Sequence, residues 1–121
     1  MKIEKVNIAN KLESFSDFWN PRVVGKLNGQ MVKVAKFKGD FVRHQHEGED
    51  ELFMVVSGEL FIELDDKTLQ LSPGELVVIP KGVYHKPYAT NECAVLLFEP
   101  EATLNTGNQI NTFTKNNLEE I

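Results

Sequence analysis

The stretch that decides the fold reads Gly39-Asp40-Phe41-Val42-Arg43-His44-Gln45-His46-Glu47-Gly48-Glu49-Asp50-Glu51-Leu52-Phe53-Met54-Val55-Val56-Ser57-Gly58. His44 and His46 stand two apart, the spacing that puts alternate side chains of an extended segment on one face, so their imidazoles can converge on one point. Phe41 to His46 therefore reads as a strand entered from the turn Lys38-Gly39-Asp40, with Val42 inward beside the histidines and Arg43 and Gln45 outward. Glu51 opens the next strand, Leu52 to Val56. An antiparallel return across the loop Glu47-Gly48-Glu49-Asp50 would carry its carboxylate beside the two imidazoles. Glu51, Phe53 and Val55 share one face of that strand, which leaves Leu52, Met54 and Val56 on the other.

Outward from this stretch, short β-branched and aromatic runs alternate with turn dipeptides from Arg22 to Pro100, too often for long helices. Arg22 to Leu27 and Gln30 to Phe37 flank Asn28-Gly29, a hairpin turn pair. Ser57-Gly58 splits the apolar stretch Leu52 to Leu64 into two strands. Asp65-Asp66-Lys67 turns into Thr68 to Leu71, Pro73-Gly74 precedes Glu75 to Ile79, and Ala94 to Phe98 is a last buried strand. Strands at this spacing predict an all-β barrel or sandwich, which closes or protects its sheet edges. At the N-terminus, Asn10 either caps a short helix over Lys11 to Trp19 or belongs to an extended arm. Leu104 to Asn108 has the composition of a loop, and Asn116 to Ile121 is a helix candidate.

Two imidazoles and a carboxylate suit Mn, Fe, Co, Ni or Zn, with positions left open for water or a reacting molecule. His85, the third of three histidines, follows the turn Pro80-Lys81-Gly82 and can complete such a site. The same residues also have plain readings, because a His-x-His pair arises by chance and an acidic loop can be only a solvated turn. Spacing alone leaves both open. Tyr84 and Tyr88 flank His85 as packing residues that could also offer hydroxyls. Phe53, with Phe61, would give the pocket aromatic surface.

These residues resemble the cupin superfamily. Its first motif runs Gly, five residues, His-x-His, three or four residues, Glu, six residues, Gly. Here Gly39, four residues, His44-Gln45-His46, four residues, Glu51, six residues and Gly58 follow that order, one residue short at the start, as a tighter turn would make it. The second motif runs Gly, five residues, Pro-x-Gly, two residues, His, three residues, Asn. It is matched by Gly74, five residues, Pro80-Lys81-Gly82, two residues and His85, with Ala89 where the family has Asn. The resemblance spans Gly39 to Ala89 and implies a cupin-type jelly-roll barrel holding one divalent transition metal through His44, His46, Glu51 and His85. The family's Asn is not a ligand, so Ala89 removes a polar contact and spares the metal site. Cupins of this size include dioxygenases, sugar isomerases and proteins without known reaction, and the fold does not choose among them.

Length and composition agree with one soluble domain, 1–121, whose barrel core lies at about 22–100. Hydrophobic residues make up 41% and charged residues 26% of the 121, ordinary globular values that suggest neither disorder nor a membrane protein. Thirteen Lys and Arg against 18 Asp and Glu leave a net charge of −5, which repels a phosphate backbone and argues against nucleic-acid partners. Charges are scattered through the first residues, unlike a secretory signal, and Cys93 has no partner cysteine; a cytoplasmic setting is the expectation. The outward apolar residues Leu52, Met54 and Val56 need cover, which predicts a homodimer. The expected activity is an oxygenase or isomerase reaction on a small organic molecule, the alternative a ligand-binding or sensor module with a structural metal.

Overall fold

The computed structural model describes residues 3–121. Among the described residues, seven strands form an antiparallel jelly roll: β1 (Arg22–Leu27), β2 (Gln30–Asp40), β3 (Glu51–Ser57), β4 (Leu60–Glu63), β5 (Thr68–Leu71), β6 (Leu76–Ile79) and β7 (Lys86–Pro100). The main sheet is ordered β1-β2-β7-β3-β6, and β4 pairs with both β5 and β7. The long strand β7 belongs to both parts of the barrel. Its first residues pair with β4 (Phe61 with Tyr88), and Ala94 onward lies between β2 and β3. The exposed run Thr90-Asn91-Glu92 marks the passage from one to the other.

The turns explain where the strands break. Asn28 and Gly29 both take positive φ, 50° and 76°, as the tight β1–β2 turn requires. Gly58 (φ 77°) is constrained further, because a Cβ there would lie 2.7 Å from the Glu92 carbonyl oxygen. Only glycine lets β3 turn into β4 under that strand. Alternate residues then fill the barrel: Phe37, Phe53, Val55, Leu60, Ile62, Leu71, Ile79, Val95 and Leu97 are all buried in one cluster.

Several expectations change. No turn at Lys38-Gly39-Asp40 ends β2; a bulge between Phe37 and Gly39, with Gly39 at φ 78°, lets the strand run on to pair Gly39 with Ala89 and Asp40 with Tyr88. That bulge, rather than a tighter turn, accompanies the motif's missing residue. Phe41 to His46 is not a strand but a segment with one isolated bridge, His44 to His85, and single backbone bonds at Phe41 and His46. The last strand is far longer than Ala94 to Phe98, because the polar run before it also pairs.

The helix, α1, is Ile8–Glu13 and is capped by Asn7, whose side chain accepts from the Asn10 amide. Asn10 lies inside it. The helix stops before Phe15 and Trp19, and Trp19 instead takes φ 59° and donates through its amide to the Lys36 carbonyl. Residues 116–121 form no helix either: Glu120 bridges β1 at Val23, and the Ile121 amide donates to the Val23 carbonyl. An open edge of β1 outcompetes six residues of helix, too few to be stable alone. Leu12 of α1 and Ile121 pack on Val34 and Ala94 over the sheet's outer face. Among the described residues, no helix is long and apolar enough to cross a membrane.

Candidate metal centre

His44 and His85 are locked by reciprocal backbone bonds: each amide donates to the other's carbonyl, at 2.9 and 2.8 Å. The next link is the Gly82 amide, which donates to the His46 carbonyl at 2.7 Å. His44 and His46 thus lie beside His85, and Glu51 arrives from β3. The acidic loop does not pair the histidine segment with β3, since the β3 partners are β6 and β7. Closure of the barrel, not a local hairpin, brings the carboxylate in.

One ligand-type atom from each of His44, His46, Glu51 and His85 lies within 4.8 Å of the others, and all four residues are buried. Glu51 Oε1 is 3.2 Å from His46 Nε2 and 3.3 Å from His85 Nε2. None of these three buried atoms finds a hydrogen-bond partner. Buried polar atoms without partners are costly, and three aimed at one point are what a cation would satisfy. The imidazoles are turned for it: His44 Nδ1 lies 2.9 Å from the Val42 carbonyl and His85 Nδ1 3.0 Å from that of Val83. Those carbonyls take the Nδ1 proton and leave Nε2 as a lone-pair donor.

The electrostatics agree with a ligand set. Burial first, then the neighbouring His85, pushes His44 down to about 4, which keeps its imidazole neutral. Burial alone would raise the Glu51 carboxyl, but His46 and His85 beside it outweigh that and hold it well below the usual carboxylate range. The residues therefore fit a divalent cation: three imidazoles with one carboxylate.

Aromatic side chains wall the site. Trp19 stacks on Phe37 at 4.1 Å and on Phe41 at 4.7 Å between ring centroids, and with Phe53 they border a cavity of about 20 Å³ shared with His44 and Glu51. That volume takes one water-sized group. Phe53 lies where alternation predicts. Phe61 does not: it stacks on Tyr88 at 5.0 Å, while its neighbours Leu60 and Ile62 point inward. Tyr84 packs under Arg43 and accepts a hydrogen bond from Asn108 Nδ2, so both tyrosines are packing residues. Ala89 is fully buried in the core.

Two parts of the site were not read from the sequence. The segment Leu104 to Asn108 covers the histidines, with the Asn108 amide bonded to the Gln45 carbonyl and Gly107 so close that a Cβ would fall 2.2 Å from that oxygen. The second is a buried ion pair, Lys33 Nζ to Glu99 Oε1 at 2.7 Å, whose Glu99 also borders the cavity. Neither has a spacing signature, because each depends on distant strands meeting. An open cleft of about 310 Å³ borders His46, Glu47, Glu49 and Asn108 outside the barrel.

Comparison with known proteins supports the same architecture. A crystal structure of a cupin-2 domain containing protein from Shewanella frigidimarina is 42% identical and superimposes with a TM-score of 0.79, covering 79% of this chain and 94% of that one. The uncharacterized protein YdbB of Bacillus subtilis is 39% identical over 64 residues, 52% of this chain and 57% of its own. An acireductone dioxygenase of Candida albicans is 34% identical over 76 residues, 55% of this chain and 42% of the enzyme. The chain thus matches about half the length of these curated relatives. The family model described as the cupin domain matches residues 30–99, which take in all four clustered side chains. With the jelly roll and both motifs in place, the chain belongs to the cupin domain family.

Proposed function

We propose that this cupin holds one divalent transition metal (Mn, Fe, Co, Ni or Zn) through His44, His46, Glu51 and His85, and acts with it on a small organic molecule in an oxygenase or isomerase reaction. The observation that carries this reading is the convergence of three unsatisfied buried atoms, His46 Nε2, His85 Nε2 and Glu51 Oε1. Four protein ligands leave about two positions of an octahedral shell for a reacting molecule. An ion so held supplies Lewis-acid polarisation or dioxygen activation. The chain's own part is to orient the imidazoles through the Val42 and Val83 carbonyls and to exclude bulk water with Trp19, Phe37 and Phe41. The likeness to acireductone dioxygenase over 76 residues favours the oxygenase side.

A second reading, a ligand-binding or sensor module with a structural metal, has one observation in its favour: the cavity of about 20 Å³ admits little beyond water. Elemental analysis of purified protein is expected to give close to one metal per chain, and His46→Ala to weaken binding at least about tenfold while the far-ultraviolet spectrum stays β-type. No uptake on titration overturns the metal centre. Oxygen consumption by iron- or manganese-loaded protein with catechols or diketones selects the oxygenase, and anaerobic conversion of sugar phosphates the isomerase. Binding without turnover in every metal form selects the sensor.

We also propose a homodimer in a cytoplasmic setting. Across β6, β3 and β7 the outer face carries two apolar rows, Val78-Leu52-Phe98 and Leu76-Met54-Leu96. Leu76 is 56% and Val78 50% exposed, and a second copy would cover both rows.

A further inference from the structure

Lys33 and Glu99 sit on the inner, apolar faces of β2 and β7, where the two residues are only 1% and 2% exposed. Buried ion pairs are weak stabilisers compared with apolar residues of the same shape, so a pair in a barrel core asks for another role. The register shows what it touches. Strands β2 and β7 pair Lys33 with Leu97 and Met31 with Glu99, so Lys33 is the diagonal neighbour of Glu99 on the inner face. Strands β3 and β7 pair Leu52 with Phe98, which sets Glu51 opposite Glu99 one step further on. Lys33, Glu99 and Glu51 therefore form one buried polar row across three adjacent strands, ending at the candidate centre.

Lys33 Nζ holds Glu99 Oε1, and Glu99 Oε2 finds no donor. Glu51 and Glu99 lie opposite each other on adjacent strands, which puts their Cβ atoms about 4.5–5.5 Å apart, and both carboxyl side chains border the same cavity. Glu51 Oε1, meanwhile, is the oxygen that faces His46 and His85.

We propose that Lys33 and Glu99 are positioning residues for Glu51: Lys33 fixes Glu99, and Glu99 keeps the Glu51 carboxyl from rotating, so that Oε1 stays aimed at the two imidazoles. The inference rests on the metal-centre reading above. Ligating carboxylates depend on such outer hydrogen bonds, whose loss weakens metal binding about 10- to 100-fold.

The test is cobalt(II) titration followed by visible absorption, which reports both affinity and ligand geometry without turnover. Lys33→Met combined with Glu99→Leu leaves no charge unpaired in the core. With an unchanged far-ultraviolet spectrum, that variant is expected to bind cobalt(II) about 10- to 100-fold more weakly, with shifted absorption bands. Lys33→Met alone is expected to shift the bands in the same direction, which covers failure of the double variant to fold. Glu99→Gln keeps an acceptor for Lys33 and an N–H for Glu51, and is expected to retain the wild-type spectrum. Wild-type affinity and spectrum in the double variant overturn the positioning role, as does a Glu99→Gln variant as impaired as the double. Absence of cobalt(II) uptake by the wild type overturns the metal centre itself, and this inference with it.

Discussion

On the inner face of β3, Glu51, Phe53 and Val55 are buried, whereas on its outer face Leu52, Met54 and Val56 are only partly covered. Both faces are apolar apart from Glu51, so hydrophobicity does not separate them. What separates them is the partner each face has within the chain. The inner face meets β4 and the Trp19 segment in one closed cluster, with the Phe53 ring edge-on to His85. The outer face has α1 and the C-terminus over only part of its width, reaching Val56 but leaving Leu76 and Val78 in water. One strand thus serves the site with its odd-numbered residues and leaves its even-numbered ones only partly covered.

Truncation on the two faces tests this contrast most strongly. Phe53→Ala removes a ring that lies 6.0 Å from that of His85 and is expected to cost about 3–5 kcal/mol in metal-free protein, from lost burial and the cavity left behind. Met54→Ala, one residue along, is expected to cost roughly 1 kcal/mol. Equal losses in denaturant melts would break the comparison.

Assembly is the next test. Light scattering is expected to give twice the 13.7 kDa chain mass for the wild type, and the single chain mass for Leu76→Lys combined with Val78→Lys. A wild-type particle of one chain mass at micromolar concentration contradicts the homodimer.

The smallest effect concerns Cys93, whose thiol burial pushes up to about 12 from an ordinary value of 9.0. The native thiol stays protonated where the unfolded one ionises, so its contribution is fully present below about pH 9 and is lost as pH rises towards 12. Disulfide reagents at pH 8 are expected to label it only after unfolding, and the melting temperature to fall slightly from pH 9 to pH 10. Rapid labelling of native protein would place Cys93 outside the closed inner cluster.

The readings that held have local causes. The i, i+2 spacing of His44 and His46 put both imidazoles inward even though their segment proved not to be a strand, because alternation needs only extended backbone. Asn28-Gly29 and Ser57-Gly58 marked turns whose positive φ values only a few residue types tolerate. The readings that failed involved competition between distant partners. Glu119 to Ile121 bond to Val23 of β1 instead of coiling, and Trp19 lies beyond the helix and stacks on Phe37 and Phe41.

By itself, the sequence determined most of the strand-and-turn order, which side chains share a face, and the four residues whose family motif spacing marks a candidate metal centre. Those follow from period-two alternation, from backbone chemistry at glycine, asparagine and proline, and from motif spacing, all of which are written in neighbouring residues. Only the tertiary structure decided that Leu104 to Asn108 covers the histidines, that Phe61 faces away from the site, and that Lys33, Glu99 and Glu51 form one buried row. Each of these depends on register between strands far apart in the chain, and a residue's own neighbours carry no record of which strand will lie beside it.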